Sequence, residues 1–207
     1  DSALWPGDWF LSRSDYVLWR SQSKSFEKMA IVGNEDIALV FNGNGSTERV
    51  GSIQGDFWNI TNARPILGHL FGAAEPNSVV LTWPLFERAF GGNPAVIGKT
   101  IELEGHAFTV AGVLSASFRN LIPQALYPGD EMRDIDAYIP TPAGSEYPGA
   151  PLRATVRSGP TPSWFRLVAK RKPGVSFEEA RTEMKVLHDR TWKQYPEPYS
   201  HDPQFGE

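Results

Sequence analysis

The sequence predicts an α+β fold, with short strands joined by tight turns, one helix between them and a helix near each end. Three observations carry this reading. "NGNGST" at 42–47 separates two apolar-rich runs and reads as a hairpin turn, because Asn and Gly tolerate positive φ. "GGNPAVIGKTIELEGHAFTVAGV" at 91–113 sets a glycine every few positions around strand-like alternation. Phe177, Ala180, Met184, Leu187 and Thr191 recur at helical spacing behind a Ser176/Glu179 capping box. With 207 residues, 41% hydrophobic, and twelve Phe, seven Trp and six Tyr, the chain can build one large domain or two small ones.

Taken in order, Trp5, Trp9 and Phe10 are expected to pack on the domain. Ser14 is expected to cap a helix over "DYVLWRSQ", which puts Tyr16, Trp19 and Arg20 on one side. "MAIV" (29–32), "DIALVF" (36–41) and "TERVGSI" (47–53) read as three short strands, and "DFWNITN" (56–62) as one or two helical turns. Arg64-Pro65 demands extended backbone. "SVVLT" (78–82) reads as a buried strand. Thr82 then caps a helix with Pro84 in its first turn, Leu85, Phe86, Ala89 and Phe90 as its apolar face, and Gly91 as its stop. Asn93-Pro94 starts a further turn that Gly98 ends. A Glu104-Gly105 turn would set Ile101 opposite Phe108, with Leu103 and Val110 on the same face. Gly112 would allow close packing at the strand end. "IDAYI" (135–139) and "SWFRLVAK" (163–170) read as strands, Pro173-Gly174 as a turn, and the last helix runs to about Tyr195.

Several function classes fall away. The net charge of −4 is opposite to the basic excess of nucleic-acid binders. With no cysteine there are no disulfides and no Cys-ligated metal, a composition that fits a bacterial periplasmic domain. No apolar run approaches the roughly 20 residues of a membrane helix. The chain starts at Asp1 without an initiator Met or a signal-like segment, and is expected to be a piece of a larger protein.

The search for chemistry ends without a constellation. His69, His106, His188 and His201 share no metal spacing, and His188 is expected at the surface near a helix C-terminus. "GDEMRDID" (129–136) lacks the alternation of a calcium loop and reads as a solvated loop. Residues 147–177 carry Arg153, Arg157, Arg166, Lys170, Arg171 and Lys172 without an acid, the pattern of an exposed strand edge. There is no Gly-x-Ser-x-Gly elbow, and "FGGNP" lacks the Lys-Ser/Thr of a phosphate loop. "NGS" (44–46) and "NIT" (59–61) match glycosylation acceptors, a short pattern that arises often by chance. The expectation is therefore no catalytic, cofactor-binding or metal-ligating residue, and no cofactor.

The order of "GDFWNITNARPILGHLF" (55–71), "VVLTWPLFERAFGGNPAVIGKTIELEGHAFTVAGV" (79–113), "IDAYIP" (135–140) and "FRLVAKRKPGVSFEEARTEM" (165–184) resembles the MacB-like periplasmic core domain. That domain belongs to permeases of the macrolide-exporter class of ABC transporters, and the cadence resembles that of the large acidobacterial permeases of this type. "SDYVLW" (14–19) resembles the helix that follows the extension of the first membrane span, and Asn62 departs from the family's usual Gly.

The resemblance implies a porter-like α/β sandwich half (1–55 plus 160–195), an inserted small α/β subdomain (56–159) and a linker tail (196–207). It implies an extracytoplasmic, non-enzymatic module lying between the first and second of four membrane helices. The module would transmit ATP-driven motion, with the insert at the end far from the membrane. The implied partners are a second permease copy or pseudo-symmetric half, a cytoplasmic ATPase acting through the membrane helices, and a periplasmic adaptor. The isolated domain is expected to be a monomer that binds no nucleic acid. The alternative for the same fold is a docking or signalling module, as in related permeases that release lipoproteins or activate cell-wall hydrolases.

Overall fold

Asn42 and Gly43 both lie at positive φ (50° and 78°) and form the two-residue turn of one long antiparallel hairpin. A computed structural model of the protein describes residues 13–119, 134–141 and 165–194. The hairpin strands are β1 (Phe26–Phe41) and β2 (Asn44–Gly55), paired from Phe41↔Asn44 to Ala30↔Gly55. The three strands expected over 29–53 are therefore two. The polar break Gly33-Asn34-Glu35 stays in the ladder because it faces Ser52, Gly51 and Val50 in register. Helix α1 (Arg13–Gln22) precedes the hairpin. Arg13, the first described residue, is already helical, so Ser14 lies inside the helix and not at its cap position.

The segment after the hairpin contributes α2 (Phe57–Ile60), β3 (Pro65–Gly68), β4 (Ser78–Leu81), α3 (Trp83–Phe90), a 3-10 turn at Pro94–Val96, β5 (Thr100–Leu103), β6 (His106–Leu114) and β7 (Ala137–Pro140). β8 (Arg166–Arg171) and α4 (Phe177–Gln194) complete the described chain. The sheet order is β2-β7-β4-β6-β5-β1-β8, and β1 also pairs β2, so six strands close on themselves. Among the described residues β8 pairs only with β1, as an edge strand carrying Lys170 and Arg171, as the basic stretch suggested. Residues 129–133 of the acidic run, Arg153, Arg157, the N-terminal aromatics, His201 and the 196–207 tail lie outside the described residues.

Local expectations hold where local chemistry decides. Ile101 faces Phe108 across the Glu104-Gly105 turn, and Ile101, Leu103, Phe108 and Val110 are buried. Gly91 ends α3 at φ 62°, and Asn62 adopts the left-handed turn at φ 50° even without glycine. Gly112 packs so tightly that a Cβ there would overlap the carbonyl oxygen of His69. Three further expectations fail. The Thr82 hydroxyl does not cap α3; it donates to the Asp136 carbonyl at 2.8 Å, which also accepts from the Thr82 N–H. Ala89 is exposed, since a helix of only two turns covers the core with Leu85, Phe86 and Phe90. Phe177, in the first turn of α4, is also exposed.

Three apolar clusters stack along the hairpin. Ile37, Leu39 and Val50 pack with Leu85, Phe86, Phe90 and the β4–β7 strands. Ala30, Val32 and Ile53 pack with Phe57, Tyr138 and Val168. Met29 and Ile31 pack with Tyr16, Trp19, Phe165, Met184 and Leu187. The sheet thus runs across residue 56 without a break. Phe57, just past residue 56, is buried with Ala30, Val32 and Val168 at the end of β1 that pairs β8. β5 meets β1 only at Leu39 and Val40, near the turn.

Candidate functional site

Among the described residues, one extended polar arrangement lies where α1 meets α4. The capping box of α4 forms as the spacing predicts: Ser176 N–H donates to Glu179 at 2.7 Å, and Glu179 N–H to Ser176 Oγ at 3.2 Å. Hydrogen bonding from the Ser176 backbone N–H, and then from its side chain, holds the Glu179 carboxyl below its ordinary pKa. Ala180, Met184, Leu187 and Thr191 then form the buried stripe, and burying Met184 and Leu187 contributes on the order of 2 kcal/mol each.

Polar groups at the edge of this stripe fasten the two helices. Glu183 accepts from Lys24 N–H at 2.7 Å, Ser25 N–H at 2.8 Å and Ser23 Oγ at 3.0 Å, gathering the turn that links α1 to β1. Burial pushes the Glu183 carboxyl up, but the hydrogen bonds from Ser25, Lys24 and Ser23 outweigh it and leave the pKa lowered. Trp19 Nε1 donates to Thr191 Oγ1 at 2.8 Å, and that hydroxyl donates on to the Leu187 carbonyl at 2.9 Å. His188 sets its ring edgewise to Trp19 at 6.3 Å, and Arg190 reaches Gln22 at 3.0 Å. Residues 23–25 meet Glu183 while Trp19 meets Thr191, so the helices run antiparallel and Arg13 lies toward the Gln194 end. α1 is also tied to the hairpin base. Tyr16 Oη donates to the Met29 carbonyl at 3.1 Å, Arg20 pairs with Asp56 at 3.2 Å, and Arg13 reaches Gln54 at 3.0 Å.

A second ionic group lies between α3 and the sheet. Arg88 bridges Glu48 and Asp136, the latter at 3.1 Å, and Asp136 accepts from Arg49 N–H at 3.0 Å. Arg49 pairs in turn with Asp36 at 3.1 Å. Partial burial lowers the Arg88 pKa, but Asp136 and Glu48 together raise it further. This group joins β2, β7 and α3 and has the character of structural glue, since both acids are buried and committed.

Among the described residues the histidines do not converge. His69 pairs with Glu75 at 2.6 Å on an exposed loop, His106 is exposed on β6, and His188 belongs to the α1–α4 contact. Among the described residues no three His, Asp or Glu side chains gather as metal ligands, and no helix is long and apolar enough to cross a membrane. Sequence reasoning placed Thr191 on the stripe but missed Glu183 and the Trp19 partnership. Their partners are more than 150 residues away, and no local pattern announces them.

A family model, the MacB-like periplasmic core domain, matches residues 4–187. Among solved structures the chain is similar to the periplasmic region of MacB from Actinobacillus actinomycetemcomitans. That match has 16% identity and a TM-score of 0.61, and covers 89% of this chain and 74% of the other. It is also similar to the extracellular domain of the noncanonic ABC-type transporter YknZ from Gram-positive bacteria, at 12% identity and TM-score 0.60, covering 88% and 84%. At these identities the likeness is one of fold. No curated protein matches the chain.

Proposed function

The chain belongs to the MacB-like periplasmic core domain family, and from that premise we propose that it is the moving periplasmic part of an ABC transporter permease. It carries motion generated by a cytoplasmic ATPase outward to substrate or to a periplasmic partner, and performs no chemistry of its own. The observation that supports this most is the α1–α4 pair. The two helices are antiparallel, fastened by Glu183 and by the Trp19–Thr191 bond, so that Arg13 and Gln194 lie toward the same end of the pair. A displacement applied there enters one rigid unit.

The long hairpin is the lever. From Met29, packed against α4, to Leu39, paired with β5, ten residues of strand span about 34 Å. α4 itself, at 18 residues, adds about 27 Å along its own axis. In this reading the porter-like part (1–55 with 160–195) and the insert (56–159) share the hairpin and move as one body. A second permease copy or pseudo-symmetric half supplies the opposing surface, and a periplasmic adaptor is a further partner. A disulfide engineered between the two opposed periplasmic domains of the full transporter tests the proposal. Transport is expected to stop in the locked state and return on reduction. Unchanged transport when locked would remove the domain from the moving machinery.

A further inference from the structure

The tip of the long hairpin reads Asn42-Gly43-Asn44-Gly45, an Asn-Gly step repeated, and all of these residues are exposed. At such a step the asparagine side chain meets the next backbone nitrogen most readily, because glycine puts no side chain in the way. Nothing lies within 4 Å of where a Cβ of Gly43 would stand, so the surroundings are open as well. The two steps share their chemistry and differ in how the fold holds them.

Phe41↔Asn44 closes a two-residue turn, so these residues exchange both of their backbone hydrogen bonds. The same alternation turns the N–H groups of Ala38 and Arg49 outward, where they meet the Glu104 and Asp136 carboxylates. The Asn44 carbonyl is therefore committed to Phe41 N–H, and turning the 44–45 peptide breaks a ladder bond. The 42–43 peptide takes part in neither closing bond. With Asn42 at φ 50° and Gly43 at φ 78°, the turn is of type I′. Flipping its central peptide gives type II′, which keeps the Asn42 φ positive and swings its ψ to about −120°. That rotation lays Gly43 N beside the Asn42 side-chain carbon, the geometry that ring closure needs. Gly43 takes up the accompanying change to negative φ at little cost.

We infer that Asn42 is a site of spontaneous covalent modification, with water as the co-reactant. Gly43 N bonds to Asn42 Cγ, the Cγ–Nδ2 bond breaks, and the side-chain nitrogen leaves as ammonia with the Gly43 proton. Water then opens the cyclic imide, at Cγ to give aspartate or at the main-chain carbonyl to give isoaspartate. Either product puts a carboxylate where a neutral amide stood at the hairpin tip. Aspartate still fits the type I′ turn, whereas isoaspartate adds a methylene to the main chain and breaks the Phe41↔Asn44 match.

The test incubates the 207-residue chain in mildly alkaline buffer, folded and in urea. Both asparagines are followed by peptide mapping, with the site and the isomer assigned by mass spectrometry. Taking the ratio of rates in urea as reference, the fold should favour Asn42 over Asn44 by about 5-fold, the worth of one neutral hydrogen bond. Asn44→Gln should leave the conversion at residue 42 in place, and Asn42→Gln should remove it. The inference is overturned if, relative to urea, folded Asn44 converts as fast as Asn42 or faster. It is equally overturned if Asn42 stays intact in the folded chain, or if its conversion is lost in Asn44→Gln.

Discussion

Replacing Glu183 by glutamine keeps the side-chain length and removes the charge that gathers the α1–β1 turn onto α4. In the native arrangement Oε1 accepts from Lys24 N–H, while Oε2 accepts from Ser25 N–H and the Ser23 hydroxyl. Glutamine offers one oxygen, and its amide N–H₂ must face donors on the other side. Hydrogen bonds to a charged acceptor contribute roughly 1.5–3 kcal/mol each, and neutral ones about 1. The turn is partly exposed, so water recovers much of what is lost, and the net cost at neutral pH should be about 2 kcal/mol. The folded state holds this carboxyl below its ordinary pKa, so at low pH the unfolded chain binds the proton first. Stabilisation by Glu183 is therefore complete above the ordinary carboxylate range and fades as pH falls through the folded value. Urea unfolding of wild type and Glu183→Gln, followed by tryptophan fluorescence, should show a gap of about 2 kcal/mol that is flat from pH 6 to 8 and narrows below about pH 4. A gap under about 0.5 kcal/mol at pH 7, or one that stays constant down to pH 3, would refute this account of the turn.

Arg88→Met should cost about 3–5 kcal/mol, because Glu48, whose side chain is 3% exposed, loses its cation; Glu48→Gln in the same chain should recover most of that loss in a double-mutant cycle. Gly112→Ala should cost more than about 2 kcal/mol in denaturant unfolding, since the added methyl must displace the His69 backbone. By calorimetry the chain should bind neither ATP nor divalent metal in the micromolar range. In sedimentation it should remain monomeric at micromolar concentration, because membrane helices and ATPases would supply the effective concentration that pairs two copies.

What could be read in the sequence was what short-range chemistry decides. The Asn42-Gly43 and Glu104-Gly105 turns fix their strand registers, Ser176 and Glu179 announce α4, and Gly91 ends α3, each through residues no more than a few positions apart. Long-range pairing could not be read. β7 joins β2 in parallel across more than 80 residues, and that contact closes the ring. Polar residues at 33–35 hide the continuity of β1, because an apolar pattern marks a strand only where one face is buried. Thr82 fits every rule for a cap, yet it spends its hydroxyl on a neighbouring strand. Glu183 fits the rules for a solvated helix face, and only the fold brings residues 23–25 to it.

The central claim is that the α1–α4 pair moves as one body and carries the hairpin tip with it. Double electron–electron resonance on the full-length transporter measures this directly, with spin labels at exposed Val17 and Val186 within one domain, and at exposed Ser46 near the tip of each of two opposed copies. Between nucleotide-free and ATP-bound states the 17–186 distance should stay fixed, while the distance between the two labels at 46 changes by several ångströms. A 17–186 distance that shifts while the 46–46 distance does not would contradict the claim.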